Sequence, residues 1–273
     1  VELSSYRHCI VMPYGDRNLD TIYRSEKPGI NTVQGYLEEI GKTLRFLHND
    51  TNWIHGDLKL LNVLRCDGKI KVIDMDASAK IPDDEALAGL EGLEAKYFVG
   101  SKFSSGVLPP EMVYCLKTRE DSDLFKTYFE PLKTEDEKEW WNKIQPILHK
   151  EDGTFYGIKT FLTEMKKEER ADGTRYISIV KDPNLLPYGN NLIKASGAID
   201  LWSFGALIFQ MMTGETLFPV NVDNDITSAA VYKDLYNWSP KKKKNKLSHP
   251  KIDSVARSLL MKLLSRNPED RGT

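Results

Sequence analysis

The octapeptide His55-Gly56-Asp57-Leu58-Lys59-Leu60-Leu61-Asn62, with Asp74 a short way downstream, concentrates the side chains that phosphoryl transfer needs. That reaction requires a carboxylate to orient or take the proton of an attacking hydroxyl. It also requires an amide oxygen and a second carboxylate to hold magnesium against the phosphates. Asp57 and Asn62 stand five apart on one loop, Lys59 lies between them, and Asp74 rejoins them if the intervening residues double back. A surface loop holding Asp, Lys and Asn by chance would look the same locally, so the surrounding elements decide.

The intervening residues do read as a hairpin. Asn62-Val63-Leu64-Arg65 and Lys69-Ile70-Lys71-Val72-Ile73 are strand-like runs joined through Asp67-Gly68. Upstream, Cys9-Ile10-Val11-Met12 reads as a buried strand leaving into a turn at Pro13-Tyr14-Gly15. Val33, Leu37, Ile40, Leu44 and Leu47 predict an amphipathic helix over 32–48, with Asn31 as its N-cap. The stretch 76–108 reads as a long mobile surface segment, uncommon unless functional. A helix is expected over 135–150, kinked or ended by Pro146. Strands are expected over 155–162 and 175–181, on either side of the charged stretch 164–172. An apolar helix over 199–213 should stop at Gly214. A last helix over 254–264 should point Val255, Leu259, Leu260 and Leu263 inward. Lys241-Lys242-Lys243-Lys244 with Lys246 reads as a solvated loop, or as a nuclear-import or acidic-partner patch.

In this order the motifs resemble the larger, C-terminal lobe of the eukaryotic-type Ser/Thr protein kinases. The octapeptide and Asp74-Met75-Asp76 look like the catalytic loop and D-F-G motif of that family. Met12-Pro13-Tyr14-Gly15 looks like the gatekeeper and hinge. The resemblance implies adenine contacts from the Pro13 carbonyl and the Gly15 N–H, with Leu64 as the apolar floor. Ser104-Ser105-Gly106-Val107-Leu108-Pro109-Pro110-Glu111 looks like the end of an activation segment. Asp200-Leu201-Trp202-Ser203-Phe204-Gly205 matches the helix whose aspartate braces the catalytic loop, and Arg271 the arginine that pairs with the segment's glutamate. The implied roles are Asp57 as base, Lys59 on the transferred phosphate, and Asn62 and Asp74 on magnesium. His55, Ser104, Glu111, Asp200 and Arg271 are implied as structural supports. ATP and Mg2+ are the implied cofactors and a protein is the implied substrate. Lys59 is the Ser/Thr form of the loop.

The pattern departs from the family in several places. With so few residues before the hinge, the small N-lobe is expected to be missing, and the chain alone to be inactive without one in cis. Tyr156-Gly157-Ile158-Lys159 resembles the family's lysine strand but comes too late, and reads as an ordinary strand. Gly56 stands where the arginine that clamps an activating phosphate belongs, so activity is expected not to depend on phosphorylation of the segment. Met75 can take the apolar role of phenylalanine. Asp76 is either a salt-bridged loop residue or an accessory metal-site acid. Glu111 and Asp200 are separated by far more chain than the family uses. The expected layout is therefore 1–112 for hinge, catalytic loop and activation segment, 113–198 for an insertion, and 199–273 for the rest of the lobe. Trp140 and Trp141 would form a core for the insertion or a docking site.

The expected fold class is α+β: a mainly helical, kinase-like C-lobe with the catalytic-loop hairpin and an inserted α/β segment. Bulk properties agree. The 273 residues carry a net charge of -2, with 40% hydrophobic and 29% charged residues. That balance argues against a nucleic-acid binder. No apolar run approaches the roughly 20 residues of a membrane span. Cys9, Cys66 and Cys115 have neither disulfide nor zinc spacing, which suits an intracellular, cytoplasmic protein. The ends, at Val1 and Thr273, look trimmed, which leaves a targeting segment open. Two alternatives to a Ser/Thr protein kinase stand: a pseudokinase serving as a binding or scaffolding module, and a small-molecule kinase of similar fold.

Overall fold

The computed structural model describes residues 14–83, 94–130, 135–170, 173–188 and 191–272. The strand expected at 9–12, the hinge residues Met12 and Pro13, and the small-lobe question lie outside them. Strand β1 (Arg17–Asn18) runs into helix α1 (Leu19–Glu26), where the Asn18 side chain accepts from Thr21 N at 2.8 Å. Helix α2 (Ile30–Asp50) buries Val33, Ile40 and Leu44 along one face. It is longer than its apolar repeat. Asn31 falls inside its first turn, and Gly29 occupies the cap position without a side-chain bond.

Strands β2 (Trp53–Ile54), β3 (Val63–Cys66), β4 (Lys69–Val72) and β5 (Ala79–Lys80) frame the octapeptide. Val63 pairs with Val72 and Cys66 with Lys69, while Asp67 and Gly68 take φ 50° and 75°. Two left-handed residues are what a two-residue hairpin turn demands. β1 adds to β3, and β2 pairs with β5. The surface reading of 76–108 fails over its described second half. Phe98, Val99, Phe103, Val107 and Leu108 are buried, and Val99 N donates to Ile193 O at 2.9 Å. The later chain covers this segment, which its own composition could not announce.

That cover comes from residues 113–198. Here β6 (Val113–Leu116), β7 (Ile147–Leu148) and β8 (Phe155–Ile158) form an antiparallel sheet in the order β6-β8-β7. Helices α3 (Arg119–Phe129) and α4 (Glu135–Ile144) lie between β6 and β7 in the chain. α4 ends before Gln145 and Pro146, earlier than its expected limit. The charged stretch 164–172 is mostly strand, not a spacer. β9 (Thr163–Arg170) pairs with β10 (Gly173–Val180) along its whole length, with Thr163 opposite Val180 and Arg170 opposite Gly173. Two-stranded pairing exposed to water needs no apolar alternation, so its charges hid it. The two tryptophans part company. Trp141 packs beside Phe125 and Phe129, with ring centroids 6.1 and 6.3 Å apart, in an aromatic core of the segment. Trp140 packs 5.3 Å from Phe103.

Helix α5 (Gly197–Thr213) is apolar nearly all round because it separates two cores. Trp202 and Phe209 enter the larger one; Leu207 and Met211 join Leu19, Ile40, Leu44, Leu58 and Val63 in the smaller. Gly214, at φ 84°, ends it by donating to Gln210 O at 2.8 Å. Helices α6 (Ala229–Tyr236), α7 (Pro240–Lys246) and α8 (Ser254–Leu263) complete the described chain. The lysine run is thus a helix and not a loop. Ser239 caps it, and buried Lys243 donates to Met261 O at 2.6 Å. In α8, Leu260 and Leu263 point inward, but Val255 is 79% exposed and Leu259 is also exposed. Among the described residues, no helix is long and apolar enough to cross a membrane.

Candidate active site

The loop between β2 and β3 is held from beneath by one carboxylate. Asp200, in the first turn of α5, is wholly buried. It accepts from His55 N at 2.8 Å and Gly56 N at 2.9 Å, with His48 Nε2 at 2.9 Å. A buried carboxylate without such donors would be strongly destabilising. The His55 ring contributes a second tie. Its Nε2 donates to Ile73 O at 2.9 Å and its Nδ1 accepts from Asp57 N at 3.2 Å. The imidazole therefore joins the loop to the residue preceding Asp74.

Gly56 is a requirement of this packing. Its φ is +81°, and a Cβ there would lie 2.3 Å from the Ala77 carbonyl oxygen. A left-handed backbone alone costs an L residue about 1–2 kcal/mol, and the overlap adds to that. Gly56→Ala should lower the Tm by several degrees, on the scale of about 2–4 °C per kcal/mol. Gly56→Arg, which introduces the residue usual in the Ser/Thr kinases the sequence resembles, should fare no better. An unchanged Tm in differential scanning calorimetry would contradict the packing described.

Asp57 is oriented chiefly by three donors, with Asn62 Nδ2 a fourth at 3.5 Å from Oδ2. Ser104 N donates to Oδ1 at 2.9 Å, while Lys59 Nζ and Ser104 Oγ reach Oδ2 at 2.9 and 3.2 Å. Lys59 also donates to Ser104 Oγ at 2.7 Å. Asn62 Nδ2 donates to the Asp57 carbonyl at 2.9 Å, which leaves its amide oxygen for a metal. An oriented carboxylate next to an ammonium can take a hydroxyl proton while the cation meets a phosphate oxygen.

Asp74 follows β4 with a left-handed backbone, φ 66° and ψ 72°. For a non-glycine residue that conformation costs on the order of 1–3 kcal/mol and tends to occur at functional sites. Burial raises its carboxyl above the ordinary aspartate range, and Asp76 adds to the rise by hydrogen bonding and like charge. Burial pushes Asp76 the same way, yet its hydrogen bonds to Lys102 and Asp74 hold it below the ordinary value. Asp76 is thus a salt-bridged residue, paired with Lys102. Met75 does not fill the apolar role of phenylalanine: it is 43% exposed, and the turn buries Ala77 instead.

Asp57, Lys59, Asp74, Asp76, Lys102 and Ser104 line one cavity of about 1010 Å3. Its far wall includes Trp140 and Lys143 of α4 and Asp225 of the 221–227 loop. The all-oxygen donor set of Asn62 and Asp74 suits magnesium, which takes one or two protein carboxylates and completes its shell with phosphates and water. Bound there, the ion would neutralise phosphate charge. Among the described residues no group of three or more His, Cys, Asp or Glu could hold a metal by itself.

The supporting residues are also placed. Glu111 and Arg271 form a two-pronged pair at 2.5 and 2.7 Å. A Cβ on Gly15 would meet Leu64 Cδ1 at 2.7 Å, so these two residues lie against one another on the β1–β3 side of the hairpin, outside the lining of the large cavity. Met12 and Pro13 fall outside the described residues. Sequence reasoning missed His48, Lys143 and Asp225. The spacing of His48 on α2 could have suggested only a helix-surface histidine. Lys143 lies in the stretch 113–198 and Asp225 in the 221–227 loop, and neither carries a recognisable motif.

This arrangement of eight helices and small antiparallel sheets among the described residues is compatible with a kinase-like fold. Residues 3–92, about a third of the chain, match the family model of the RIO domain, an atypical protein kinase family. The matched part spans the loop from His55 to Asn62, the hairpin and Asp74. It stops short of Ser104, Glu111, Asp200 and Arg271, so it supports a kinase-like protein and not the eukaryotic-type Ser/Thr likeness in its details. No curated protein matches the chain.

Proposed function

We propose that the protein transfers the terminal phosphoryl group of ATP to Ser or Thr hydroxyls of protein substrates. The observation that carries this reading is the constellation around Asp57. Its carboxylate is fixed by Lys59 and Ser104 in a cleft that also exposes Asp74. Asp57 orients the acceptor hydroxyl and takes its proton. Lys59 stands beside Oδ2, where the transferred phosphate would carry negative charge. Asn62 and Asp74 are the residues that would hold magnesium, and Gly15 and Leu64 support the adenine side. The partition into 1–112, 113–198 and 199–273 belongs to this reading, as does an intracellular location.

A binding-only pseudokinase is the second reading. The observation in its favour is Asp76, an extra carboxylate hydrogen-bonded to Asp74 where the Ser/Thr kinases that the sequence resembles have glycine. The two variants of this motif separate the readings. Asp74→Asn should abolish magnesium-dependent ATP binding in titration calorimetry and also phosphate transfer. Asp76→Gly should preserve both. A dead Asp76→Gly with an active Asp74→Asn would reverse the assignment, and a wild type that binds ATP without transfer would favour the pseudokinase.

A further inference from the structure

The segment that holds Asp57 is itself held by residues 113–198 and by the 221–227 loop. Ser104 bonds Asp57 and Lys59; the next residue, Ser105, is 1% exposed and donates to Asp225 Oδ1 from both N (2.9 Å) and Oγ (3.2 Å). Ser105 Oγ in turn accepts from Ile226 N at 2.7 Å, and Gly106 N donates to Asn224 O at 2.8 Å. The other carboxylate oxygen of Asp225 pairs with Lys143 of α4 at 3.0 Å. The Lys143 ammonium also lies 5.2 Å from the centre of the Phe103 ring, on which Trp140 packs. Upstream, Val99 N donates to Ile193 O at 2.9 Å and Thr160 Oγ1 to Gly100 O at 2.6 Å. Residues 113–198 thus grip the segment at Val99, Gly100 and Phe103, and the 221–227 loop grips it at Ser105 and Gly106.

We infer that Lys143 and Asp225 are positioning residues for Asp57, acting through Ser105 and Ser104. This inference rests on the phosphoryl-transfer reading above. Many kinases order this segment by pairing a phosphate with arginine. Gly56 offers no such arginine, and the Lys143–Asp225 pair supplies opposite charges already built into the chain. The same geometry alters the expectation for phosphorylation. Ser105 cannot accept a phosphate while it is buried against Asp225, where a phosphate would also meet like charge. Ser101 remains exposed.

Lys143→Met removes the ammonium and keeps an apolar stem for Phe103. Asp225→Asn keeps an oxygen for Ser105 and loses the ion pair. In the full-length protein, hydrogen exchange at the amides of Ser104, Ser105 and Gly106 should speed up in both variants. The kcat for phosphate transfer should fall about tenfold, with KM for ATP held within about twofold. Lys143→Arg should restore both. Unchanged exchange at these amides in both variants would overturn the inference, as would faster exchange with unchanged kcat. Exchange needs no turnover. If the wild type transferred no phosphate, the functional reading would fail, and faster exchange in both variants would still establish the brace while unchanged exchange would refute it.

Discussion

Asp57→Ala is expected to lower kcat for phosphate transfer by about a hundredfold to ten-thousandfold, the range measured for a positioned acid–base group. ATP affinity should barely move, because Asp57 touches none of the residues assigned to adenine and meets Asn62 chiefly through its own backbone carbonyl, which alanine keeps. Removing the carboxylate also frees Lys59 from one of its two partners, while Ser104 keeps the other. The loop should stay folded, since Asp200 grips it through the backbone of His55 and Gly56. Stopped-flow or steady-state kinetics on a variant of unchanged Tm would therefore isolate the chemical step. Asp57→Asn, which keeps shape without basicity, should be nearly as damaged.

Arg271→Met should produce the largest loss of stability, about 3–5 kcal/mol, the cost of breaking a buried pair by removing one partner. The guanidinium is 1% exposed and makes more than its two bonds to Glu111. Its Nε donates to Ser265 O at 2.8 Å, and its outer nitrogens to Ala198 O and Arg266 O at 3.1 Å each. It also lies 5.2 Å from the centre of the Trp202 ring. One side chain therefore joins Glu111, the start of α5 and the last described turn. Lysine cannot reproduce this fork, so Arg271→Lys should recover little. The double variant Glu111→Gln, Arg271→Met should lose less than the sum of the two single changes in urea unfolding. Strict additivity would show that the pair is not coupled.

What could be read in advance followed the range of the interactions. The Asp67-Gly68 hairpin, α5 with Gly214, and the order Asp57, Asn62, Asp74 depend on local pattern, and each was legible. The long-range pairs of Asp200 with the loop and Glu111 with Arg271 became legible only through resemblance, because no periodicity links residues so distant. Segment 94–108 was misjudged as surface since its cover, 113–198, follows it in the chain and matches no motif. The β9–β10 hairpin was hidden by its charges. Val255 was assigned inward because a short helix allows two apolar faces, and packing chose the one with Leu260 and Leu263. In the sequence Gly56 marks only the absence of a phosphate-clamping arginine; in the fold it is also a steric necessity beside Ala77.

On the proposed function, Asp57 and Asp74 serve one phosphoryl-transfer site. The most direct measurement gives the full-length protein magnesium and ATP labelled at the terminal phosphate, with a mixture of protein substrates, and identifies the labelled amino acid. The expected result is label on Ser or Thr that disappears in both Asp57→Ala and Asp74→Asn. Label that persists undiminished in Asp57→Ala, or magnesium-dependent ATP binding with no label on any hydroxyl, would contradict it.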